Sequence, residues 1–577
     1  MSMLRPPGLG PIIGHTTDRS CRLWIQAGKL EDEGPMSPLS ANRRTIGVIG
    51  VLSEKPDDKA PPKAPIEIVK AYYFRLHREF DRTGTFELGV DVALGLHESD
   101  GVPKAQQDKP YELKPNTDYT VRMATLSLDD PLEDEDSLTD AQLRDRLPDI
   151  DKIAPLLLKL REKECQVTFW TFPDASKRLD SLSFLLGSCR YPGLLWKIKE
   201  ADRVFGPMKS HLASEAGKPD ARFTLMAGDQ IYADTLNRFV PIGLADTYEE
   251  FQERYQTAFG SRNMSTLLKT APTYMILDDH EIEDNWSQDR LSDNAKHRLF
   301  NLAVGAYMSY QWSHGPRTYG RLLYYQFECG GYPFFVLDTR TQRFKDDKVG
   351  LDDNHLLGRP PIDRANPGQL AQFLTWLSEQ QKTRKNVPKF VVSSSVFAPN
   401  DMSERTHDDK NPGADIMTAN RERRDKSDSW PAYPCTRKAI LEHIVKEGIQ
   451  NVVFLTGDIH CGNIARINIT VGEKDSGICA YDITSSAFYW PFPFADGDPN
   501  NYVHDSTLPD QLDPFAFDGG VMNYRAWAFT QEDNFARIDI DTAKNQLVVR
   551  YFDRQGNKIE VLDANDKPVT ENILPLA

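Results

Sequence analysis

Phe223-Thr-Leu-Met-Ala-Gly-Asp229-Gln-Ile-Tyr232-Ala-Asp234 is a strand-sized apolar run that breaks at a glycine and then delivers two acids and a phenol. The same plan recurs three times. Ser183-Phe-Leu-Leu-Gly-Ser ends in Cys189-Arg190, and Thr273-Tyr-Met-Ile-Leu ends in Asp278-Asp279-His280-Glu281 with Asp284-Asn285 just beyond. Val452-Val-Phe-Leu-Thr-Gly ends in Asp458-Ile-His460. Apolar runs of this length alternating with helical segments predict an α/β domain from Leu182 onward. In open α/β sheets the carboxyl ends of the strands form the ligand crevice.

Gathering these side chains in one crevice has an electrostatic cost. Carboxylates that share a low-dielectric site repel one another and are driven toward protonation. Metal cations remove that cost and hold Asp and His as ligands. Asp229 has two oxygens and can bridge two ions. Two metals about 3.5–4 Å apart clamp a phosphoryl group and supply hydroxide near neutral pH. Each ending has an ordinary structural reading when taken alone. A Gly-Asp is a common turn or cap, and Cys189 is a small apolar residue. The acids at Asp278-Asp279-His280-Glu281 suit a helix N-terminus, and His460 can be a structural histidine. Four such endings in one domain favour the metal site.

Outward from these runs, the helical segment Gln369–Leu377 places Leu370, Phe373, Leu374 and Leu377 on one face, and Lys438–Glu447 forms a second helix stopped at Gly448. Phe535–Asp541 and Gln546–Phe552 read as a hairpin adding edge strands. Residues from Gly10 to about Ala175 read as all-β, with strands at Arg22–Ala27, Thr45–Leu52, Tyr119–Leu126 and Val167–Phe172. The charged stretch Asp129–Lys163 reads as a solvated insertion carrying one short helix at Leu156-Leu-Leu-Lys-Leu. The domain boundaries expected are therefore 1–175 and 176–577.

The 577 residues carry a formal charge of −16. That balance argues against a nucleic-acid partner, because phosphate backbones are held by Lys and Arg. No run approaches the roughly 20 apolar residues of a membrane span. The opening residues lack the apolar core of a signal peptide. Seven cysteines with no C-x-x-C pair fit a reducing compartment, so a cytoplasmic location is expected.

Gly187-Ser-Cys-Arg, Gly228-Asp-Gln-Ile-Tyr-Ala-Asp, Asp278-Asp-His-Glu-Ile-Glu-Asp-Asn-Trp and Gly457-Asp-Ile-His, in this order, resemble the motifs of the alkaline phosphatase D (PhoD-like) family of calcineurin-like metallophosphoesterases. Phe334-Phe-Val-Leu-Asp-Thr-Arg, Ser393–Pro399 and Pro367-Gly-Gln-Leu support the match across Leu182–Asp553. Gly10-Pro-Ile-Ile-Gly-His-Thr-Thr looks like the opening of the family's β-sandwich domain. The resemblance implies an N-terminal, fibronectin III-like sandwich followed by a four-layer αββα catalytic domain.

It also implies iron(III) and calcium, with other divalent metals open. Cys189, Asp229 and Tyr232 would surround iron, with Asp458 or His460 completing the set. Asp229, Asp278, Asp279 and Asn285 would offer the oxygens calcium prefers. The implied reaction is hydrolysis of a small-molecule phosphate ester by metal-bound hydroxide. Arg190 would hold phosphate, and His280 would protonate the leaving alkoxide or orient the attack. Two rival readings stand beside it: a phosphodiesterase or phospholipase using the same metals, and a non-catalytic metal-binding protein. The chain has Ser-Cys-Arg, Asp-Asp-His and Gly-Asp-Ile-His where the wider superfamily has Asp-x-His, Gly-Asn-His and Gly-His-x-His. Arg340 is a weaker phosphate candidate, since a structural ion pair is the commoner role. Trp286, Tyr489 and Trp490 are expected in aromatic packing, and His211, His355 and His407 have no motif around them.

Overall fold

The computed structural model describes residues 3–28, 43–53, 66–92, 94, 109–131, 138–192, 198–212, 220–234, 244–318, 322–345, 353–359, 367–401, 427–492, 502–509 and 511–577. His407 lies outside them.

The apolar runs of the second half form the centres of two sheets. One has six strands in the order Thr273–Met275, Thr224–Met226, Ser181–Gly187, Asn534–Asp541, Gln546–Asp553, Asn572–Pro575. Its first three strands are parallel. In the other, Tyr332–Val336, Lys389–Ser393, Val452–Thr456 and Ala480–Ser485 run parallel at the middle of nine strands. Strands buried on both faces read as continuous apolar runs without alternation, which explains the sequence pattern. Phe184, Leu186, Phe223 and Leu225 of the first sheet pack against Phe334, Phe390, Val453 and Leu455 of the second. Helices Tyr248–Gly260, Arg262–Leu268 and Asn294–Tyr310 cover the outer face of the first sheet. Gln369–Arg384 and Pro434–Glu447 cover the second, with Phe373 and Leu377 buried and Leu370 and Leu374 packed at the margin. The result is a four-layer αββα arrangement.

The N-terminal region is a sandwich of a five-stranded and a three-stranded sheet. Ile13, Leu23, Ile25 and Phe86 of the smaller sheet meet Ile49, Val51, Val121 and Met123 of the larger. The charged stretch departs from its expected solvated form. Among its described residues, helix Ile150–Leu157 and the turn before it lay Leu143, Ile153 and Leu157 on the outer face of the five-stranded sheet. An amphipathic helix needs only a few apolar positions to bury one face, so a high charge density does not exclude packing.

The sandwich is fixed to the second region by polar contacts. Trp24 Nε1 donates to the Ser309 carbonyl at 2.9 Å, and Gln26 Nε2 donates to Tyr310 Oη at 3.0 Å. Asp81 accepts from Tyr310 Oη and, at 2.8 Å, from Gln256 Nε2. Among the described residues, no helix is long and apolar enough to cross a membrane.

Candidate metal centre

The loops that leave the parallel strands turn sharply, and the residues that make the turns carry the chemistry. Cys189, Asp229, Asn285, Asp458 and His460 all have positive φ, between 54° and 78°. Non-glycine residues rarely adopt this region, and such strain concentrates at functional sites. The glycines before two of them permit close approach. A Cβ on Gly228 would lie 2.4 Å from Asp278 Cβ, and one on Gly457 would lie 2.6 Å from Ser188 Oγ. The loops therefore press their acids together.

Three overlapping groups of donors result. Cys189, Asp229 and His460 form one, Asp229, Asp279 and His280 the second, and Asp278, Asp279 and Asp458 the third, with ligand atoms in each within 4.8 Å of one another. Asp229 and Asp279 each belong to two groups, so the donors form one continuous set. Tyr232 joins the first group: its hydroxyl donates to Asp229 Oδ2 at 3.3 Å and lies 3.4 Å from His460 Nε2. The placement separates His460 from Asp458, which sequence left interchangeable. His460 faces the thiol and phenol, and Asp458 faces the carboxylates.

Burial pushes the carboxyls of Asp229 and Asp458 well above the usual range, and neighbouring carboxylates add to it. The Cys189 thiol and the Tyr232 phenol rise for the same reasons, burial first and the Asp229 charge second. A bound cation inverts this local preference. Asp229 Oδ1, Asp278 Oδ2 and His460 Nδ1 are buried and accept or donate no hydrogen bond among the described residues. Orphaned buried acceptors of this kind call for an ion or water. A soft thiolate, a phenolate and an imidazole on one side and carboxylates on the other suit two different metals. The residues present fit metal ions.

Other expected residues are placed differently. Asn285 is exposed; its side-chain amide donates to Asp284, and its backbone N–H donates to Asp279 Oδ2 at 2.6 Å. It holds a candidate ligand through its backbone, and its side chain stands at the wall of the cavity that Asp279 and Asp458 also line. Arg190 does not enter the crevice. Its guanidinium donates to the Ala201 carbonyl at 3.3 Å and Ser261 Oγ at 3.1 Å, lies over the Phe205 ring and is drawn to Asp202. It lines a separate cavity beside Gln230 and Tyr232.

Arg340 takes the structural ion-pair role that is the commoner one for such a residue. It is fully buried and donates to Asp278 Oδ1, to Asp428 Oδ2 at 2.8 Å and to Asp458 Oδ2 at 3.3 Å, with Asp279 Oδ1 3.7 Å away. Trp286 is buried against Phe300, as expected of packing. Trp490 lies flat on His460, ring centroids 3.5 Å apart.

Three residues escaped the sequence reading. Asp234 Oδ1 lies 2.7 Å from His280 Nδ1; its signal was its place at the end of the opening stretch, five residues after Asp229. Glu281 accepts from the backbone of both loops. Asp428, the partner of Arg340 and Arg343, follows no apolar run in the sequence and gave no signal. A cavity of about 470 Å³ opens over the group. Asp279, His280, Asp428, Asp458, His460 and Lys345 are among its walls.

Two stacked sheets flanked by helices, with a multi-donor metal group at the strand ends, define a protein of the metallophosphoesterase class. A model of the PhoD-like phosphatase family matches residues 200–497, more than half of the chain, and the chain belongs to that family. It is 24% identical over 327 residues to alkaline phosphatase D from Bacillus subtilis (strain 168), covering 53% of this chain and 51% of that one. The match thus spans about half the length of that relative. The solved structure of PhoD superposes with a TM-score of 0.57 at 16% identity, covering 96% of this chain and 90% of the other. A dimetal phosphatase from Danio rerio aligns with a TM-score of 0.33 at 12% identity, over 69% of this chain and 99% of that one.

Proposed function

We propose that this protein hydrolyses small-molecule phosphate esters at the strand-end donor group, in a catalytic unit of residues 176–577 that follows a sandwich unit of residues 1–175. The observation that carries the reading is the continuous set Cys189, Asp229, His460, Asp279, His280, Asp278 and Asp458, of which Asp279, His280, Asp458 and His460 line an open cavity and the other three lie buried behind it. Iron(III) suits Cys189, Asp229, Tyr232 and His460, and calcium suits Asp278, Asp279 and Asp458. Bound metals would neutralise the phosphoryl charge and lower the pKa of a coordinated water toward neutrality.

The chain's own residues supply orientation and a proton. Asp234 engages His280 Nδ1, which leaves Nε2 to serve the substrate. Burial alone would lower the His280 pKa, but Asp279, Asp229 and Asp234 together raise it well above its usual value. A protonated Nε2 can give its proton to the departing alkoxide oxygen. Tyr232 stacks on the ring of His280, centroids 4.2 Å apart, and fixes its plane. Trp490 does the same for His460. Arg340 holds three carboxylates in register on the far side.

The test is hydrolysis of 4-nitrophenyl phosphate by the full chain supplied with iron and calcium, alongside bis(4-nitrophenyl) phosphate. Turnover that disappears in Asp229→Asn supports the reading, and the preferred ester tells monoester from diester chemistry. Metal-loaded protein that cleaves neither ester between about pH 6 and 10 defeats it.

A further inference from the structure

Glu281 is fully buried, is not part of the cavity wall, and belongs to none of the three donor groups. Its carboxylate nevertheless accepts four hydrogen bonds. Oε2 takes the backbone N–H of Asp229 at 3.1 Å and of Asp278 at 2.9 Å. Oε1 takes the backbone N–H of Gln230 at 2.7 Å and Gln311 Nε2 at 3.0 Å. Asp229 and Asp278 sit on different loops, after the parallel neighbours Thr224–Met226 and Thr273–Met275. One carboxylate therefore bolts two loops together at the backbone of their first acids.

Gln311 extends the connection. It follows helix Asn294–Tyr310 and also donates to Tyr255 Oη at 3.2 Å. The Tyr255 ring stacks on Tyr310 at 4.9 Å and 8°. Tyr310 is the residue that Gln26 and Asp81 of the N-terminal sandwich hold by its hydroxyl, beside the Trp24 bond to Ser309. Contacts thus run without a break from the sandwich, through Tyr310, Tyr255 and Gln311, to the carboxylate under the donor group.

We propose that Glu281 is a positioning residue that sets the spacing of Asp229 and Asp278 for metal, and that Gln311 ties this bolt to the N-terminal sandwich, whose role is to brace the centre. Buried amide N–H groups require acceptors, and a carboxylate side chain offers two acceptor oxygens to the four donors that converge on it. A glutamine has the same shape but one acceptor oxygen, and its NH₂ would confront two of the four donors. Glu281→Gln therefore separates positioning from mere filling of space. The metal and activity readouts rest on the phosphoesterase reading; amide exchange in metal-free protein does not.

Three measurements on the full chain test the proposal: hydrogen exchange at the Asp229, Gln230 and Asp278 amides, calcium affinity by calorimetry, and kcat and KM with 4-nitrophenyl phosphate. In Glu281→Gln the three amides are expected to exchange faster than the rest of the sheet. Calcium affinity should fall about 10–100-fold, in the range seen when supports behind ligands are removed. The loss of rate should fall on kcat with KM little changed. Gln311→Leu should move all three in the same direction by less, and its effect should vanish in the Glu281→Gln background. If Glu281→Gln does not fold, Gln311→Leu carries the test alone. Wild-type exchange and calcium affinity in a variant that only melts earlier would overturn the proposal. Faster exchange in a protein that hydrolyses no ester would keep the bolt and discard the reaction.

Discussion

Asp234 Oδ1 sits 2.7 Å from Nδ1 of His280, and the same carboxylate accepts the backbone N–H of Asp284 through Oδ2 at 2.7 Å. The imidazole is thereby fixed in direction, with Nε2 left for the substrate. His280→Ala should lower kcat by about 100- to 10,000-fold, the range for a lost general acid, a larger effect than on metal content. Asp234→Asn should lower it by roughly 10–100-fold. Steady-state kinetics with elemental analysis checks both; an unchanged kcat in His280→Ala removes it from the reaction.

Arg340 has no solvent exposure and faces Asp278, Asp279, Asp428 and Asp458. Removing one partner from a buried charge network costs about 3–5 kcal/mol. Arg340→Met should lose stability of that order without metal and regain much of it when calcium supplies the missing charge. Thermal melts with and without calcium show this. A metal-free variant as stable as the wild type would contradict it.

His314 is buried where the sandwich meets the second region, close against Gly14, and His15 contacts Tyr274 nearby. Burial, aided by the Arg22 charge, lowers their pKa values from 6.5 to about 3 and about 4. Both are depressed below the unfolded value, so the unfolded chain binds more protons as the pH falls. Their contribution is complete above pH 6.5 and is lost on acidification, at about 1.4 kcal/mol per pH unit for each group until its folded pKa is reached. Denaturant midpoints should therefore fall from pH 7 to 5, and less steeply in His314→Gln. An equal slope in both proteins would count against this assignment.

Arg190→Met should lower the melting temperature, because Asp202 and Ser261 lose a partner. KM for 4-nitrophenyl phosphate should stay within about twofold. A large rise in KM would return Arg190 to the phosphate site.

The strand-end acids were legible because the chain builds each one alike. A doubly buried strand must be an apolar run, and a crossover to a helix must leave it at a turn, so Asp229, Asp278 and Asp458 announce themselves. Side-chain direction was not legible. Cys189 sits in a turn of positive φ beyond the strand end, and its thiol meets Asp229 while the next side chain, Arg190, goes to Ala201 and Ser261. Asp428 follows no apolar run in the sequence and meets Arg340 only through the tertiary fold. Asn285 shows the same limit differently, since its backbone rather than its side chain meets Asp279. The helix in the charged stretch was legible but its docking on the five-stranded sheet was hidden by composition: Ile153 and Leu157 bury one face although charged residues dominate the stretch around them.

The account depends most on Cys189, Asp229, Tyr232 and His460 enclosing a metal, and a visible absorption spectrum with elemental analysis tests that directly. Purified full-length protein supplied with iron and calcium should retain both and show a phenolate- or thiolate-to-iron band that shifts in Tyr232→Phe and is absent in Asp229→Asn. Folded protein that retains neither metal and shows no band under the same conditions would contradict it.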